Sequence, residues 1–141
     1  NLGTVMRSCS ALGIDRLIIT DDCADIYSSR TVRAAMGALF KQKTVTIGLS
    51  EMPHAIELLQ KSGRKIYAAA LHREALNIDD IKMSVGDAFV IGNEGHGVSA
   101  GVRQACTGSI IIPMCEGPES LNAATSASVL MWEAYRARMK K

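Results

Sequence analysis

Residues 88–97 read Ala88-Phe89-Val90-Ile91-Gly92-Asn93-Glu94-Gly95-His96-Gly97. The apolar run Ala88–Ile91 shows no polar alternation, which is the pattern of a short strand buried on both faces. Three glycines follow within six residues. Such a run serves tight backbone turns or lets a backbone approach a ligand closely, and turn geometry alone is enough to explain it. Parallel sheets bind ligands beyond the carboxyl ends of their strands. Whether this glycine loop is a site therefore depends on what surrounds the strand.

Working outward, apolar runs alternate with helical patterns. Toward the N-terminus, the sequence predicts a strand at Lys65–Ala69, a helix at Glu51–Ser62 and a strand at Thr44–Gly48. The helix carries Pro53 in its first turn and Gly63 just past its end. Before these come a helix over Arg30–Phe40 capped by Ser28 or Ser29, a strand at Leu17–Thr20, and a helix from Asn1 to Leu12 stopped by Gly13. Leu71–Gly86 reads as polar and irregular. Toward the C-terminus, a short helix is predicted at Ser99–Cys106, a strand at Ser109–Ile112 stopped by Pro113, and a long helix from Leu121 to about Met139. Lys140 and Lys141 read as a solvated tail. Strands alternating with helices imply an α/β fold: a parallel sheet flanked by helices, in one domain spanning residues 1–141.

Composition sets limits on function. The chain has 141 residues, 48% hydrophobic and 21% charged, enough to build a packed core; at 4% aromatic, that core is aliphatic. A net charge of +2 excludes a binder that works through a basic tail but leaves room for a local basic patch. No apolar run approaches the ~20 residues of a membrane span. Cys9, Cys23, Cys106 and Cys115 form no C-x-x-C pair and have no clustered histidines, so no metal site is expected. They read as reduced, mostly buried thiols of a cytoplasmic protein. The chain opens on Asn1 with no targeting pattern, which reads as a mature fragment or a chain whose N-terminal portion is missing.

A second strand end also draws notice. Ile111-Ile112-Pro113-Met114 is followed by Cys115–Glu119 and then Ser120-Leu121-Asn122, where Ser120 can serve as N-cap of the last helix. Seven small or short residues, Asn122–Ser128, then allow another backbone to approach closely. Ordinary helix–sheet packing, enclosure by other segments and a partner subunit all fit that run. The glycine order is G-x-x-G-x-G, the reverse of the dinucleotide fingerprint, and Glu94 would set a negative charge against a pyrophosphate. Glu116 can reach a ribose in principle, so a nucleotide-binding oxidoreductase stays open as an alternative. Asn1 and Arg7 are six residues apart and need not share a helix face; taken singly they read as an N-cap and a surface arginine.

Together, Asn1-x-Gly3-x-x-x-Arg7, Ile91-Gly92-Asn93-Glu94-Gly95-x-Gly97, and Ile112-Pro113-Met114 with Ser120-Leu121-Asn122 resemble the three motifs of the SpoU (TrmH-like) RNA ribose 2′-O-methyltransferases of the SPOUT superfamily. Val32–Phe40 is similar to a further segment of that family. The resemblance implies a parallel sheet whose C-terminal part forms a deep trefoil knot, a homodimer, and S-adenosylmethionine as cofactor. It implies transfer of a methyl group to a ribose 2′-hydroxyl of rRNA or tRNA. Ile91, Gly92, Gly97, Ile112, Met114 and Leu121 match cofactor-binding positions. Arg7 matches the catalytic arginine, and Asn1, Glu94, Ser120 and Asn122 match the polar residues around it. A non-catalytic RNA-binding or dimerisation module of the same fold is the alternative. Many members carry an N-terminal RNA-binding domain; without one, RNA affinity is either weak or rests on a patch such as Arg30, Arg33, Lys41 and Lys43. Glu116 and Glu119 sit in the Pro-Met loop, where the resemblance places RNA.

Overall fold

The computed structural model describes residues 1–116 and 120–140; Glu119 and Lys141 lie outside the described residues. Among the described residues there are six strands, β1 (Leu17–Thr20), β2 (Thr44–Ile47), β3 (Ile66–Ala69), β4 (Leu76–Asn77), β5 (Ala88–Ile91) and β6 (Gly108–Ile111), and five α-helices, which separate the strands except from β3 to β5. The helices are α1 (Leu2–Ala11), α2 (Ser29–Ala35), α3 (Met52–Lys61), α4 (Ala100–Ala105) and α5 (Ala123–Met139). Every ladder is parallel. The strands form two hydrogen-bonded sets, β1-β2 and β4-β6-β3-β5. Side chains join them: Leu17 of β1 and Ile91 of β5 pack on the same cluster of Cys9, Ala127 and Met131.

Helices cover both faces. Residue alternation along β3 sends Ile66 to a cluster with Ile56 of α3 and Val102 of α4, and Tyr67 to one with Ile110 and Leu130 of α5. Tyr67 is the one aromatic among the described buried residues, so the core is aliphatic as the composition requires. Two glycine stops form as predicted. Gly13 has φ +63°, and Ile14 N donates to Cys9 O across it. Gly63 has φ +86°, and Arg64 N donates to Leu59 O. Both are the six-to-one closure that ends a helix through a left-handed residue.

Three expectations need correction. The second helix does not run to Phe40: Met36 (φ 49°) and Gly37 (φ 83°) are both left-handed, so α2 stops at Ala35 and a separate 3₁₀ turn covers Ala38–Phe40. The irregular stretch contains β4, whose Leu76 and Asn77 pair with Ile110 and Ile111; two residues are too few to show a period. The cysteines are free but not mostly buried. Cys9 is buried and Cys106 half-buried, while Cys23 and Cys115 are exposed. Among the described residues, no helix is long and apolar enough to cross a membrane.

Candidate active site

The loop after β5 folds back on itself. Asn93 Oδ1 accepts from Gly95 N at 2.7 Å, and Asn93 O accepts from Gly97 N at 2.7 Å. A Cβ on Gly92 would lie 2.1 Å from the Gly97 carbonyl carbon and 2.3 Å from Val98 N. Only glycine fits there, because the loop's own backbone crosses this position; tight turn geometry accounts for Gly92. Glu94 is left exposed at the tip.

The start of α5 meets that tip. The expected N-cap, Ser120, is not the cap; Asn122 is. Asn122 Oδ1 accepts from Ala124 N (2.9 Å) and Thr125 N (3.3 Å). With the oxygen committed to the helix, the amide nitrogen is free to donate outward. It donates to Glu94 Oε1 at 2.9 Å and to Asn1 Oδ1 at 3.0 Å. Three residues from the three separated motifs thus share one carboxamide. The N-terminal ends of α1 and α5 converge at Glu94, and their dipoles favour a carboxylate there.

Beside this cluster lies a cleft of about 240 Å³ lined by Ile91, Gly92, Glu94, Gly97, Ser120 and Leu121. A second, apolar lobe of about 90 Å³ is lined by Leu71, Ile112, Met114, Leu121 and Leu130. Ala69, Leu121 and Ser126 line both lobes. All six residues expected to hold the cofactor therefore line one or other of two adjoining spaces that share a wall. Sequence reading missed Ala69, Ala70 and Leu71. Their signal is position: Ala69 ends β3 and Ala70 and Leu71 follow it, and β3 pairs with both β5 and β6, so its carboxyl end forms the floor between the two loops.

Arg7 is not part of the cluster. α1 buries Gly3, Met6 and Cys9, and Arg7 is exposed with no hydrogen bond or ion pair among the described residues. α1 lies parallel to α5 along its length: Ser8 Oγ bonds Ser128 Oγ (3.0 Å), and the Cys9 thiol donates to Met131 Sδ (3.4 Å). At the far end the Arg138 guanidinium donates to the Leu12 and Gly13 carbonyls. Burial pushes the thiols of Cys9 and Cys106 up to about 11, so neither is a nucleophile at neutral pH. Among the described residues no three His, Cys, Asp or Glu side chains cluster to hold a metal.

Residues 1–132 match the profile of the SpoU rRNA Methylase family. This chain belongs to that family. It is 32% identical over 132 residues to the 23S rRNA (guanosine(2553)-2′-O)-methyltransferase RlmP of Bacillus subtilis, covering 94% of this chain and 52% of that protein. It is 31% identical to the 23S rRNA (uridine(2479)-2′-O)-methyltransferase of Streptomyces viridochromogenes, covering 99% of this chain and 49% of that one. The chain thus spans about half the length of the curated relatives it matches. Its fold superimposes on the SpoU methyltransferase AviRb from S. viridochromogenes, solved in complex with AdoMet, with TM-score 0.87 and 30% identity over 99% of this chain and 56% of that one. An AdoMet-bound rRNA methyltransferase from Sinorhizobium meliloti matches with TM-score 0.86 and 25% identity over 96% of this chain and 51% of that one.

Proposed function

We propose that this chain transfers the methyl group of S-adenosylmethionine to a ribose 2′-hydroxyl of rRNA or tRNA. The observation that carries this reading is the Asn122 carboxamide, which joins Asn1 and Glu94 at the rim of the two-lobed cleft. Relatives named as 23S rRNA 2′-O-methyltransferases and AdoMet-bound structures of the same fold support this chemistry.

The residues present fit the cofactor. The apolar lobe at Ile112, Met114 and Leu121 suits a purine, and the glycine loop offers backbone groups to a ribose. When bound, S-adenosylmethionine supplies a sulfonium methyl that is already electrophilic. The protein's task is to orient a ribose oxygen and help remove its proton. Glu94 and Asn122 hold a fixed polar edge that Ser120 and Asn1 extend. Arg7 serves best by gripping an RNA phosphate bidentately with its planar guanidinium and lining up the 2′-oxygen, with any base role needing a neighbour's help.

Because Arg7 stands exposed and away from its own chain's cluster, a second copy supplies it in this reading, and the site forms in a homodimer. The C-terminal trefoil knot belongs to the reading too. β6 inserts between β3 and β4, formed earlier in the chain, and Asn122 returns to the glycine loop. A cytoplasmic location belongs to the reading as well.

Calorimetry with S-adenosylhomocysteine and NAD tests the cofactor, and transfer of labelled methyl groups to total cellular RNA tests the reaction. Binding of S-adenosylhomocysteine alone, with 2′-O-methyl product, is expected. Binding of NAD alone would replace the reading with the oxidoreductase. Cofactor binding without transfer to any RNA would leave a non-catalytic module.

A further inference from the structure

The segments flanking α2, before its first turn and between it and β2, carry large apolar side chains left exposed among the described residues. Phe40 is 86% exposed, Tyr27 74% and Met36 70%. These are large residues to leave in water when the chain has so few aromatics, and both ends of one short helix carry them. Met36 and Gly37 hold consecutive left-handed conformations, so the apolar display sits on a fixed turn and not on a continuing helix.

Charge says what the surface meets. From Ile26 to Ser50 there is no Asp or Glu, while Arg30, Arg33, Lys41 and Lys43 all fall within it. Lys43 lies 3.7 Å from Asp15, but Arg30, Arg33 and Lys41 are exposed with no ion pair among the described residues. A second copy docked here about a two-fold axis would set cations against cations, since a symmetric interface uses the same patch twice. A polyanion whose bases can stack satisfies both halves of the surface. Stacking on aromatics and phosphate contact by cations is how unpaired nucleic acid is held.

Position agrees. α2 packs against the first turn of α1, where a Cβ on Gly3 would come within 2.4 Å of Thr31 O and 2.8 Å of Ala34 Cβ. Gly3 is two residues from Asn1, which bonds Asn122. The surface therefore borders the candidate site.

We infer that Tyr27–Lys41 is a docking surface for unpaired RNA, with bases stacked on Phe40 and Tyr27 and phosphates held by Arg30, Arg33 and Lys41. This rests on the RNA-methylation reading and specifies the RNA it takes: a strand opened beside the target nucleotide, not a duplex. The test is fluorescence anisotropy with a labelled single-stranded RNA dodecamer and a blunt duplex of the same sequence. The wild type binds the single strand more tightly. Phe40→Ala weakens that binding by about ten-fold with an unchanged salt slope, and Phe40→Trp restores it. Arg30→Gln and Lys41→Gln each reduce the slope of log affinity against log salt by about 0.7. S-adenosylhomocysteine binding and the thermal melt check that the variants are folded. Phe40→Ala and Tyr27→Ala binding the single strand as the wild type does would overturn the inference. So would sedimentation showing that Phe40→Ala only splits a dimer. If the wild type methylates RNA while these variants bind normally, the docking surface fails and the methylation reading stands; if it methylates none, that reading fails by itself.

Discussion

Asn122 donates to Glu94 at 2.9 Å while its own side-chain oxygen caps α5. One residue therefore does a structural and a site task, and substitutions can separate them. Asn122→Ala removes the cap and both outward bonds. A lost cap costs about 1 kcal/mol, or about 3 °C in melting temperature at this size. Methyl transfer should fall by about 10²-fold. Glu94→Gln keeps the shape and an acceptor for Asn122, so the melt should barely move while transfer drops. An Asn122→Ala protein that melts earlier but turns over normally would reduce Asn122 to a helix cap.

Arg7 makes no contact with the cluster in its own chain, which gives the shared-site reading a direct test. Arg7→Ala should lower transfer by about 10²-fold or more and leave S-adenosylhomocysteine affinity unchanged. Arg7→Lys should not restore it, because an ammonium cannot form the two-pronged phosphate contact. Mixing inactive Arg7→Ala and Glu94→Gln chains should recover activity, since each mixed dimer holds one site with both native groups. No recovery after verified subunit exchange would place Arg7 and Glu94 in the same chain's site.

Gly92 and Gly101 offer a contrast in what a single methyl group does. At Gly92 a Cβ meets backbone at 2.1–2.4 Å, and backbone cannot swing away as a side chain can. Gly92→Ala should cost about 1–3 kcal/mol and abolish S-adenosylhomocysteine binding by forcing the loop open. At Gly101, in the first turn of α4, a Cβ meets nothing within 4 Å. Gly101→Ala should stabilise by about 0.5–1 kcal/mol with binding unchanged. Melting curves with and without S-adenosylhomocysteine read both outcomes.

These sites show which parts of the structure a sequence discloses. Strands β3 and β5 announced themselves as apolar runs without polar alternation, β1, β2 and β6 as short β-branched runs, and Gly13 and Gly63 because only a left-handed stop needs glycine there. The Met36–Gly37 break was hidden because methionine rarely takes a positive φ and nothing in its chemistry signals one. β4 was hidden by its length. In the site, the glycine loop was legible because close approach demands residues without side chains. The cap on α5 was not. Ser120 and Asn122 are both good capping residues, and only the fold, by setting Glu94 and Asn1 opposite Asn122, decides between them. The Ala69–Leu71 floor was silent because alanine and leucine carry no chemistry of their own; it is a site only through the strands beside it.

The buried thiols set a pH window. Cys9 and Cys106 ionise near 9.0 ordinarily and near about 11 in the fold, raised by burial. Between those values the unfolded chain gives up protons that the folded chain keeps. Stability is then complete below about pH 9 and falls as pH rises toward 11. Thermal melts at pH 8, 9 and 10 should show that decline, and Cys106→Ala should lessen it. At pH 8 the exposed Cys23 and Cys115 should react promptly with a thiol reagent, and Cys9 only as the protein unfolds.

Arg138 tests whether the α1–α5 contact is a support for the site or part of its chemistry. Its guanidinium donates to Gly13 O at 2.9 Å and to Leu12 O, and lies 5.4 Å from the centre of the Tyr135 ring. These carbonyls end α1, where a cation also meets the negative end of the helix dipole. Arg138→Met keeps the apolar stem but removes both donors and the charge, and should cost about 1–2 kcal/mol. Arg138→Lys should recover only part, because one ammonium replaces a planar fork that reaches two acceptors. The cluster at Asn1 and Asn122 lies at the opposite end of α1, two Ser and Cys contacts away. Transfer measured well below the melting temperature should therefore match wild type in both variants. A drop in kcat without a matching loss of stability would mean that tension in α1 reaches Asn1, and that the parallel helix pair sets the geometry of the site.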